Sequence, residues 1–297
     1  MIPVLFELGP FRVYSYGLML GIAFLLGSVV LARELKRRGL DGAMANTITV
    51  LAVVFGIAGA KVLYLIEEWD SFLMNPVGMT FSAGGLTWYG GFLLALFVVS
   101  MYIRKKKVSF LKVWDCLGIA LILTYGVGRI GCHLSGDGDY GIPTTLTWGT
   151  IYAQGTAKPS VMLEEYFNRE PGERESWHYD SLRVIIAGKD KLGHLYTRFD
   201  EVTPLHPTPI YELLLGILGY FLLLAIQRRQ LPDGALFMMY LMLASTFRFA
   251  IEFLRLNPRI AGGLSEAQLF SIALFALGFA GFIYLGRQSA SRTTGAG

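Results

Sequence analysis

Charged residues occur inside apolar segments of this chain, where they could hold a charged ligand. The stretch GVGRIGCHLSGDGDYG carries Arg129 at the end of an apolar run. The segment FRFAIEFLR carries Arg248, Glu252 and Arg255. Their spacing of i, i+4 and i+7 predicts one shared helical face with a residual positive charge. The planar fork of arginine donors suits phosphate oxygens, so the two segments predict a phospholipid head group bound at lipid depth.

Other polar residues stand at the ends of apolar segments, and each has an alternative interpretation. Tyr16 in YSYGLML is also typical of an interfacial aromatic belt, and Lys61 in GAKVLYL could simply extend to the membrane surface. Tyr89, between glycine pairs in GGLTWYGGF, faces either a cavity or a close helix contact. In HPTPIYELLLG the prolines predict a helix start with Tyr211 and Glu212 in its first turn, where a carboxylate suits the helix dipole.

Composition predicts the environment of these residues. Hydrophobic residues make up 54% of the 297 positions and charged residues only 16%, with a mean hydropathy of +0.50. A soluble fold of this size would lack polar surface, whereas lipid covers apolar faces. The two cysteines, Cys116 and Cys132, exclude a disulfide scaffold. The N-terminal MIPVLFELGPF has no basic start or cleavage site, so we expect the first apolar segment to stay in the membrane.

The apolar stretches predict an all-α polytopic membrane protein. Seven of them are near 15–33, 46–66, 87–103, 113–131, 209–226, 234–254 and 266–286. Basic clusters follow the first, third, fifth and seventh stretches. The positive-inside rule therefore predicts an outer N-terminus and a cytoplasmic C-terminus. We interpret 1–297 as one membrane domain, with a small extracytoplasmic cap inserted at about 132–208 that carries eleven acids and seven bases.

The motifs together resemble one known family. LGPFRVYSYGLML, GAKVLYL, GGLTWYGG, GRIGCHLSGDGDYG, HPTPIYE, FRFAIEFLR and LSEAQLFS occur in the same order as the motifs of prolipoprotein diacylglyceryl transferases. The resemblance implies transfer of the diacylglyceryl group of phosphatidylglycerol to the lipobox cysteine thiol of a preprolipoprotein. A thioether forms and glycerol phosphate leaves. It also implies the bacterial cytoplasmic membrane, an active site on the outer side, and no metal or other cofactor.

Carried over by motif, the resemblance also implies roles for residues. Arg129 and Arg248 would hold the phosphate and stabilise the leaving group, with Tyr89 near the reacting centre. The substrate-binding residues would be Tyr16, Lys61, Gly131, Ser135, Asp137, Gly141, Tyr211, Glu212, Glu252 and Arg255. Cys132 and Ser135 stand where the family usually has asparagines. Asp137 and Asp139 replace a longer acid, with one apparent extra residue.

Some alternatives stay open at this level. The base that takes the thiol proton is not assigned. His133 is a candidate, but it is also typical of a water-facing histidine in the cap. Tyr89 acts as a base only if its pKa falls beside the arginines. A paralogous transferase with a different acceptor fits the same residues. So does a non-catalytic lipid carrier, because broken helices with charges at membrane depth also occur in transporters. The clustering of polar residues toward one side favours the transferase.

Overall fold

A computed structural model describes residues 1–9, 11–82, 84–163, 184–189, 195–199, 203–229 and 231–294. In chain order its elements are β1 (Val4–Leu8), β2 (Phe11–Tyr14), α1 (Ser15–Arg37), α2 (Met44–Glu67), α3 (Trp69–Met74), α4 (Pro76–Phe81), α5 (Trp88–Lys105), α6 (Phe110–Ser135), β3 (Val184–Lys189), β4 (Leu195–Phe199), α7 (Thr208–Ile226), α8 (Ala235–Glu252), β5 (Arg259–Ala261), β6 (Leu264–Ser265) and α9 (Glu266–Thr294). A further helical turn covers residues 159–163. The strands form three antiparallel hairpins, β1–β2, β3–β4 and β5–β6.

Long apolar helices dominate the fold, as composition predicts. In the described part of the chain, six of them are long and apolar enough to span a membrane, namely α1, α2, α6, α7, α8 and the Glu266–Ser289 part of α9. The third predicted stretch forms α5, which has 18 residues and polar ends at Trp88–Tyr89 and Arg104–Lys105. It is not among the six. The fold is therefore that of a polytopic membrane protein, and the seventh span and the orientation stay predictions.

The chain divides into two compact units. One comprises residues 1–26 with 118–297, and the other residues 27–117, so the boundary falls within α1 and within α6. The single domain predicted for 1–297 stays a prediction. In the smaller unit, α2 packs closely on α5, because a Cβ at Gly59 would meet the carbonyl oxygen of Gly90. An ion pair between Arg38 and the buried Asp115, with Nη1–Oδ2 at 2.8 Å, joins the end of α1 to the start of α6.

In the larger unit, small residues bring α6 against α7. A Cβ at Gly216 would lie 3.0 Å from Cα of Gly126 and 2.9 Å from the carbonyl oxygen of Ile122. Only glycine permits this backbone approach. It allows Arg129, one turn beyond Gly126 on α6, to reach α7.

The segment after α6 packs as a small cap. The fourth predicted stretch ends at 131, but α6 continues to Ser135, and the chain turns at Gly136 and Gly138, which have φ of 59° and 96°. Glycine adopts these left-handed conformations without steric cost. A core of Tyr140, Tyr152, Leu163, Leu205 and Leu256 follows. Part of the predicted cap, namely 164–183, 190–194 and 200–202, lies outside the described residues.

Candidate functional site

Six charged side chains meet in the larger unit and form a cluster of ion pairs. We call this the arginine–carboxylate cluster. Its members are Arg129, Asp139, Glu212, Arg248, Glu252 and Arg255. Three guanidinium groups face three carboxylates, so the formal charges of the cluster cancel. Pairing of this kind is what allows charges to leave water, since an unpaired buried charge is strongly unfavourable.

Glu212 lies at the centre of the cluster. Because α7 begins at Thr208, Glu212 is the fifth residue of the helix and lies just beyond its first turn, so the predicted first-turn position is wrong for this residue. Its side chain is only 2% exposed. Oε2 lies 3.1 Å from Nε of Arg129, and Oε1 lies 3.2 Å from Nη1 of Arg248. Nη1 of Arg255 lies 3.7 Å from Oε2 of Glu212. One buried carboxylate on α7 thus holds the arginines of α6 and α8 together.

Glu252 binds the second terminal nitrogen of the Arg248 guanidinium. Its Oε2 lies 2.9 Å from Nη2 of Arg248, one helical turn away on α8. Its Oε1 accepts hydrogen bonds from Nδ2 of Asn257 at 2.6 Å and from the hydroxyl of Ser265 at 2.8 Å. These contacts compensate the charge of a carboxylate that has no exposed surface, and Glu212 and Glu252 together orient Arg248 from two sides.

Arg255 reaches the cluster by a route that the sequence does not predict. The shared helical face is wrong for this residue, because α8 ends at Glu252 and the chain leaves the helix through a turn. Arg255 instead pairs in an isolated bridge with Gly141. Its guanidinium binds the Asp139 carboxylate and donates to the Asp139 carbonyl oxygen at 3.2 Å. The predicted residual positive charge is therefore balanced by an acid from the segment after α6.

Asp139, and not Asp137, supplies that acid. Its carboxylate lies between the guanidinium groups of Arg129 and Arg255. Burial alone would raise the pKa of Asp139, but these two cations hold it well below its usual range. Asp137, two residues earlier, lies at the surface, and its carboxylate accepts from the backbone N–H of Asp139. Loss of hydration and the neighbouring Asp139 raise the pKa of Asp137.

Tyr125 is a member of the site that sequence reasoning missed. Its hydroxyl contacts Glu212 and accepts a hydrogen bond from Nη2 of Arg129 at 3.0 Å. The Arg129 guanidinium also lies 4.8 Å from the centre of the Tyr125 ring. The available signal was the i, i+4 spacing of Tyr125 and Arg129 on one helix, which places both on one face.

Four of the predicted substrate-binding residues make contacts with backbone atoms near the cluster. A Cβ at Gly131 would lie 3.2 Å from Cα of Tyr16, so Gly131 lets α6 approach α1, while the Tyr16 side chain is 44% exposed. The Ser135 hydroxyl donates to the carbonyl oxygen of Cys132 at 3.2 Å. The Gly141 N–H donates to the carbonyl oxygen of His206 at 2.9 Å.

Tyr211 lies beside Glu212 in the first turns of α7. Its hydroxyl accepts a hydrogen bond from Nε1 of Trp148 at 2.8 Å, and Nδ1 of His206 lies 3.2 Å away. The candidate base His133 has Tyr152 as a neighbour, with 3.0 Å between Nδ1 and the hydroxyl oxygen. These contacts join cap residues to α6 and α7.

Tyr89 and Lys61 belong to the smaller unit. Tyr89 is the second residue of α5, is 43% exposed, and lies edge-on to Trp88 with ring centroids 5.4 Å apart. The Lys61 ammonium donates to the loop before α5, at 2.8 Å to the carbonyl oxygen of Gly84. Their predicted roles, catalytic and substrate-binding, stay predictions.

Cys132 lies next to the acids of the cluster. Its Sγ and one carboxylate oxygen each of Asp137 and Asp139 lie within 4.8 Å of one another, and Nη1 of Arg129 is 3.6 Å from the sulfur. Sulfur and carboxylate oxygen are metal-ligating atoms. Here, however, the Asp139 carboxylate is bound by two arginines, whose positive charge opposes a cation. The sulfur is better described as a neighbour of the Arg129 guanidinium.

Two of the three arginines are accessible to a ligand. The side chains of Arg129 and Arg248 are 19% and 24% exposed, whereas that of Arg255 is 7% exposed. A guanidinium carries five N–H donors. The contacts of Arg248 with Glu212 and Glu252 use Nη1 and Nη2, one contact each. Donors on this side chain therefore stay available to an anion, and Arg129 lies beside them.

Comparison with known proteins identifies the family. The family model described as prolipoprotein diacylglyceryl transferase matches residues 3–284. A relative from Clostridium tetani, named phosphatidylglycerol–prolipoprotein diacylglyceryl transferase, is 28% identical over 94% of this chain and 95% of its own length. Proteins with the same name from Parasynechococcus marenigrum and Bacillus cereus are 27% and 29% identical, covering 96% and 90% of this chain and 94% and 86% of their own lengths. This chain belongs to the prolipoprotein diacylglyceryl transferase family.

Proposed function

We propose that this protein transfers the diacylglyceryl group of phosphatidylglycerol to the cysteine thiol of a prolipoprotein. The chain is a transferase of a family whose relatives carry that activity in their names. The observation that carries the proposal is the pair of accessible arginines, Arg129 and Arg248, bound to the two oxygens of one buried carboxylate, Glu212. That arrangement presents two guanidinium groups, already oriented, to a single phosphate.

The first step is binding of the phosphate of phosphatidylglycerol. The lipid phosphate accepts hydrogen bonds from the donors of Arg248 that carboxylates do not use, and from Arg129. Since the charges of the cluster cancel, a phosphodiester adds one negative charge that must compete with an acid. Asp139 is the acid that competes most directly, because it binds Arg129 from the more exposed edge of the cluster. The remaining acids hold the arginines in place while the lipid enters.

The second step is displacement at the glyceryl carbon that bears the phosphate ester oxygen. The thiolate of the acceptor cysteine attacks this carbon, a C–S bond forms, and the C–O bond breaks. The electron pair leaves on glycerol phosphate, and a base takes the thiol proton. Arg129 and Arg248 stabilise the charge that develops on the leaving group, an electrostatic contribution that is greatest where water is excluded. By its motif, Tyr89 is assigned a catalytic role, and His133 and Tyr89 are the candidate bases.

The surroundings of the site complete the proposal. Tyr16, Gly131, Ser135, Asp137, Gly141 and Tyr211 line the substrate-binding site. The buried side chains of Glu212, Glu252 and Arg255 hold the accessible arginines in place. Lys61 orders the loop before α5. The acceptor is the lipobox cysteine of a preprolipoprotein. The protein spans the bacterial cytoplasmic membrane seven times, with α5 as the third span, and its active site opens toward the outer side. The basic residues that follow alternate spans support this orientation.

A turnover assay tests the proposal. The purified protein is incubated with phosphatidylglycerol vesicles and a lipobox peptide. Released glycerol phosphate is measured, and the peptide is analysed by mass spectrometry for a thioether-linked diacylglyceryl group. We expect release and thioether in equal amounts. We expect Arg129→Ala and Arg248→Ala to lower kcat/KM by about 100-fold or more, the effect typical of losing a donor to a transition-state anion.

The control is Arg12→Ala, which removes an exposed arginine paired with Glu7 and should leave turnover unchanged. Absence of release by the wild-type protein would exclude the proposed function. So would wild-type rates in both cluster variants. Release of glycerol phosphate without a thioether on the peptide would instead indicate a related transferase with another acceptor.

A further inference from the structure

Lys61 has all of its hydrogen-bond donors occupied by one loop. Its ammonium donates to the carbonyl oxygen of Ser82 at 3.0 Å, to the hydroxyl of Ser82 at 2.9 Å and to the carbonyl oxygen of Gly84 at 2.8 Å. An ammonium group has three N–H donors, so these three acceptors saturate it. A lipid phosphate could reach Lys61 only by displacing loop oxygens. The contacts favour a role for Lys61 within the protein.

The same face of α2 binds the rest of that loop. The backbone N–H of Thr87 donates to the carbonyl oxygen of Ala60 at 3.0 Å, and the Thr87 hydroxyl donates to Oε2 of Glu67. The ring of Tyr64 lies against Gly85, whose φ of +68° and closeness to the ring exclude a side chain. Positions 60, 61, 64 and 67 share one face of the helix. We call these contacts of α2 with residues 82 and 84–87 the α2 clasp.

The α2 clasp gives partners both to a charge within an apolar helix and to the carbonyl groups of an irregular loop. A lysine within an apolar helix costs about 2.5–3.5 kcal/mol unless it finds partners. An irregular segment beside a membrane exposes carbonyl groups that lipid cannot satisfy. Lys61 supplies the missing donors for Ser82 and Gly84, and their oxygens supply the missing partners for its charge. These contacts attach the loop to α2.

The loop leads directly into the residue proposed to act at the reacting centre. Thr87, the last residue of the clasp, is the N-cap position of α5, and Tyr89 is the second residue of that helix. A displacement of Thr87 therefore displaces the start of α5 and the Tyr89 side chain with it. A shift of about 1 Å in a reacting group is enough to cost roughly 100-fold in rate.

We propose that Lys61 is a positioning residue, which holds the loop before α5 through the α2 clasp and so places Tyr89 for the transfer reaction. The catalytic part of this inference rests on the proposed function. Lys61 acts on turnover through Tyr89 and makes no contact with the lipid phosphate. A direct phosphate contact would raise KM for phosphatidylglycerol, whereas a positioning role lowers kcat.

A double-mutant cycle tests the proposal. Lys61→Met keeps the length and apolar stem of the side chain but removes the donors. We expect it to lower kcat roughly 10- to 100-fold, with KM for phosphatidylglycerol changed by no more than about twofold. In a Tyr89→Phe background the same substitution should change kcat by no more than about twofold, because the effect passes through Tyr89. Lys61→Arg keeps the charge and donors and should restore most of the activity.

A second measurement does not depend on turnover. Hydrogen–deuterium exchange of the backbone amides in residues 84–91 should accelerate in Lys61→Met, and Lys61→Arg should restore most of the protection. Thr87→Val removes the contact with Glu67, leaves Lys61 intact, and should accelerate exchange in the same segment. If Lys61→Met does not fold, Thr87→Val still tests whether the α2 clasp orders this segment. Lys105→Met, at an exposed position near the end of α5, is the control and should match the wild type in both measurements.

Each outcome distinguishes this inference from the proposed function. Unchanged exchange in residues 84–91 in Lys61→Met, or in Thr87→Val if that variant alone folds, would overturn the clasp whether or not the protein turns over. A raised KM, or a kcat loss that persists in the Tyr89→Phe background, would overturn the positioning role. A wild-type protein that protects the segment as expected but releases no glycerol phosphate would exclude the proposed function and the action of Lys61 through Tyr89, and would leave the clasp standing.

Discussion

Arg129 and Glu212 form an ion pair between α6 and α7, with 3.1 Å between Nε and Oε2. The close approach of Gly126 to Gly216 brings the two helices near enough for this contact. The other oxygen of Glu212 binds Arg248 of α8. Three helices are therefore joined through one carboxylate, and the proposed phosphate site depends on a residue that does not itself contact phosphate.

Replacing Glu212 by glutamine should destabilise the protein strongly. The substitution keeps the shape but removes the charge that pairs with three arginines, so those cations are left partly buried without compensation. We expect the free energy of unfolding to fall by about 3–5 kcal/mol. Thermal or chemical unfolding in detergent measures the loss. Glu7→Gln removes an exposed acid paired with Arg12 and should change stability by no more than about 0.5 kcal/mol. Equal stability of the two variants would contradict the central role of Glu212.

Replacing Gly216 by alanine should separate α6 from α7. An added Cβ would lie 2.9 Å from the carbonyl oxygen of Ile122 and 3.0 Å from Cα of Gly126, so the helices must move apart. We expect a loss of about 1–3 kcal/mol of stability, as is usual for overpacking, and a lower kcat/KM because Arg129 moves away from Glu212.

Gly128→Ala is the matched control for this helix contact. A Cβ at Gly128 meets no atom within 4 Å, so alanine there adds helix propensity without a clash. We expect stability to stay the same or rise by up to about 1 kcal/mol. The two glycine variants should thus differ in sign when their unfolding is compared, and effects of the same sign would contradict the close-packing account.

Asp139 and Asp137 should differ in the sign of their effect on stability. The lowered pKa of folded Asp139 means that its stabilising contribution is present above its unfolded pKa of about 3.9 and is lost as the pH falls through the folded value. Asp137 has a raised pKa, so its contribution is present below the unfolded pKa and is lost as the pH rises through the folded value.

At about pH 7, therefore, Asp139→Asn should lose stability and Asp137→Asn should keep or gain it. Thermal unfolding of both variants at neutral and mildly acidic pH measures the difference. The gain of Asp137→Asn over the wild type should shrink as the pH falls, because the wild-type carboxyl group becomes protonated. A destabilised Asp137→Asn at neutral pH would show that the hydrogen bond from the Asp139 N–H stabilises the fold by more than the raised pKa costs.

Arg248 and Arg255 should separate activity from stability. Lysine at 248 keeps one positive charge but loses the fork that binds two carboxylates and that we propose binds a phosphate. We therefore expect kcat/KM to fall by about 10- to 100-fold with a small change in stability. Lysine at 255 should mainly destabilise the protein. The buried guanidinium of Arg255 donates both to the carboxylate and to the backbone carbonyl oxygen of Asp139, and lysine cannot keep both contacts. Turnover and unfolding are measured for both variants. A reversed order of the two effects would contradict the assignment of Arg248 to the ligand.

The sequence alone determined the parts of this protein that depend on regular periodicity and composition. Apolar runs predicted the helices to within a few residues at most ends, and the prolines before Tyr211 correctly predicted the start of α7. The motifs identified the family, and Arg129, Arg248, Glu212 and Glu252 proved to share one cluster. These predictions hold because a side chain in a regular helix points in a direction set by its position.

Only the tertiary structure decided which polar groups meet where the helices end. The turns at Gly136 and Gly138 direct Asp139, and not Asp137, to the arginines. The end of α8 at Glu252 sends Arg255 to the same acid by an irregular path. Lys61 found its partners in a loop about twenty residues away in sequence. In irregular segments the direction of a side chain is set by local backbone dihedrals and by distant charged partners, and neither follows from a repeating pattern in the sequence.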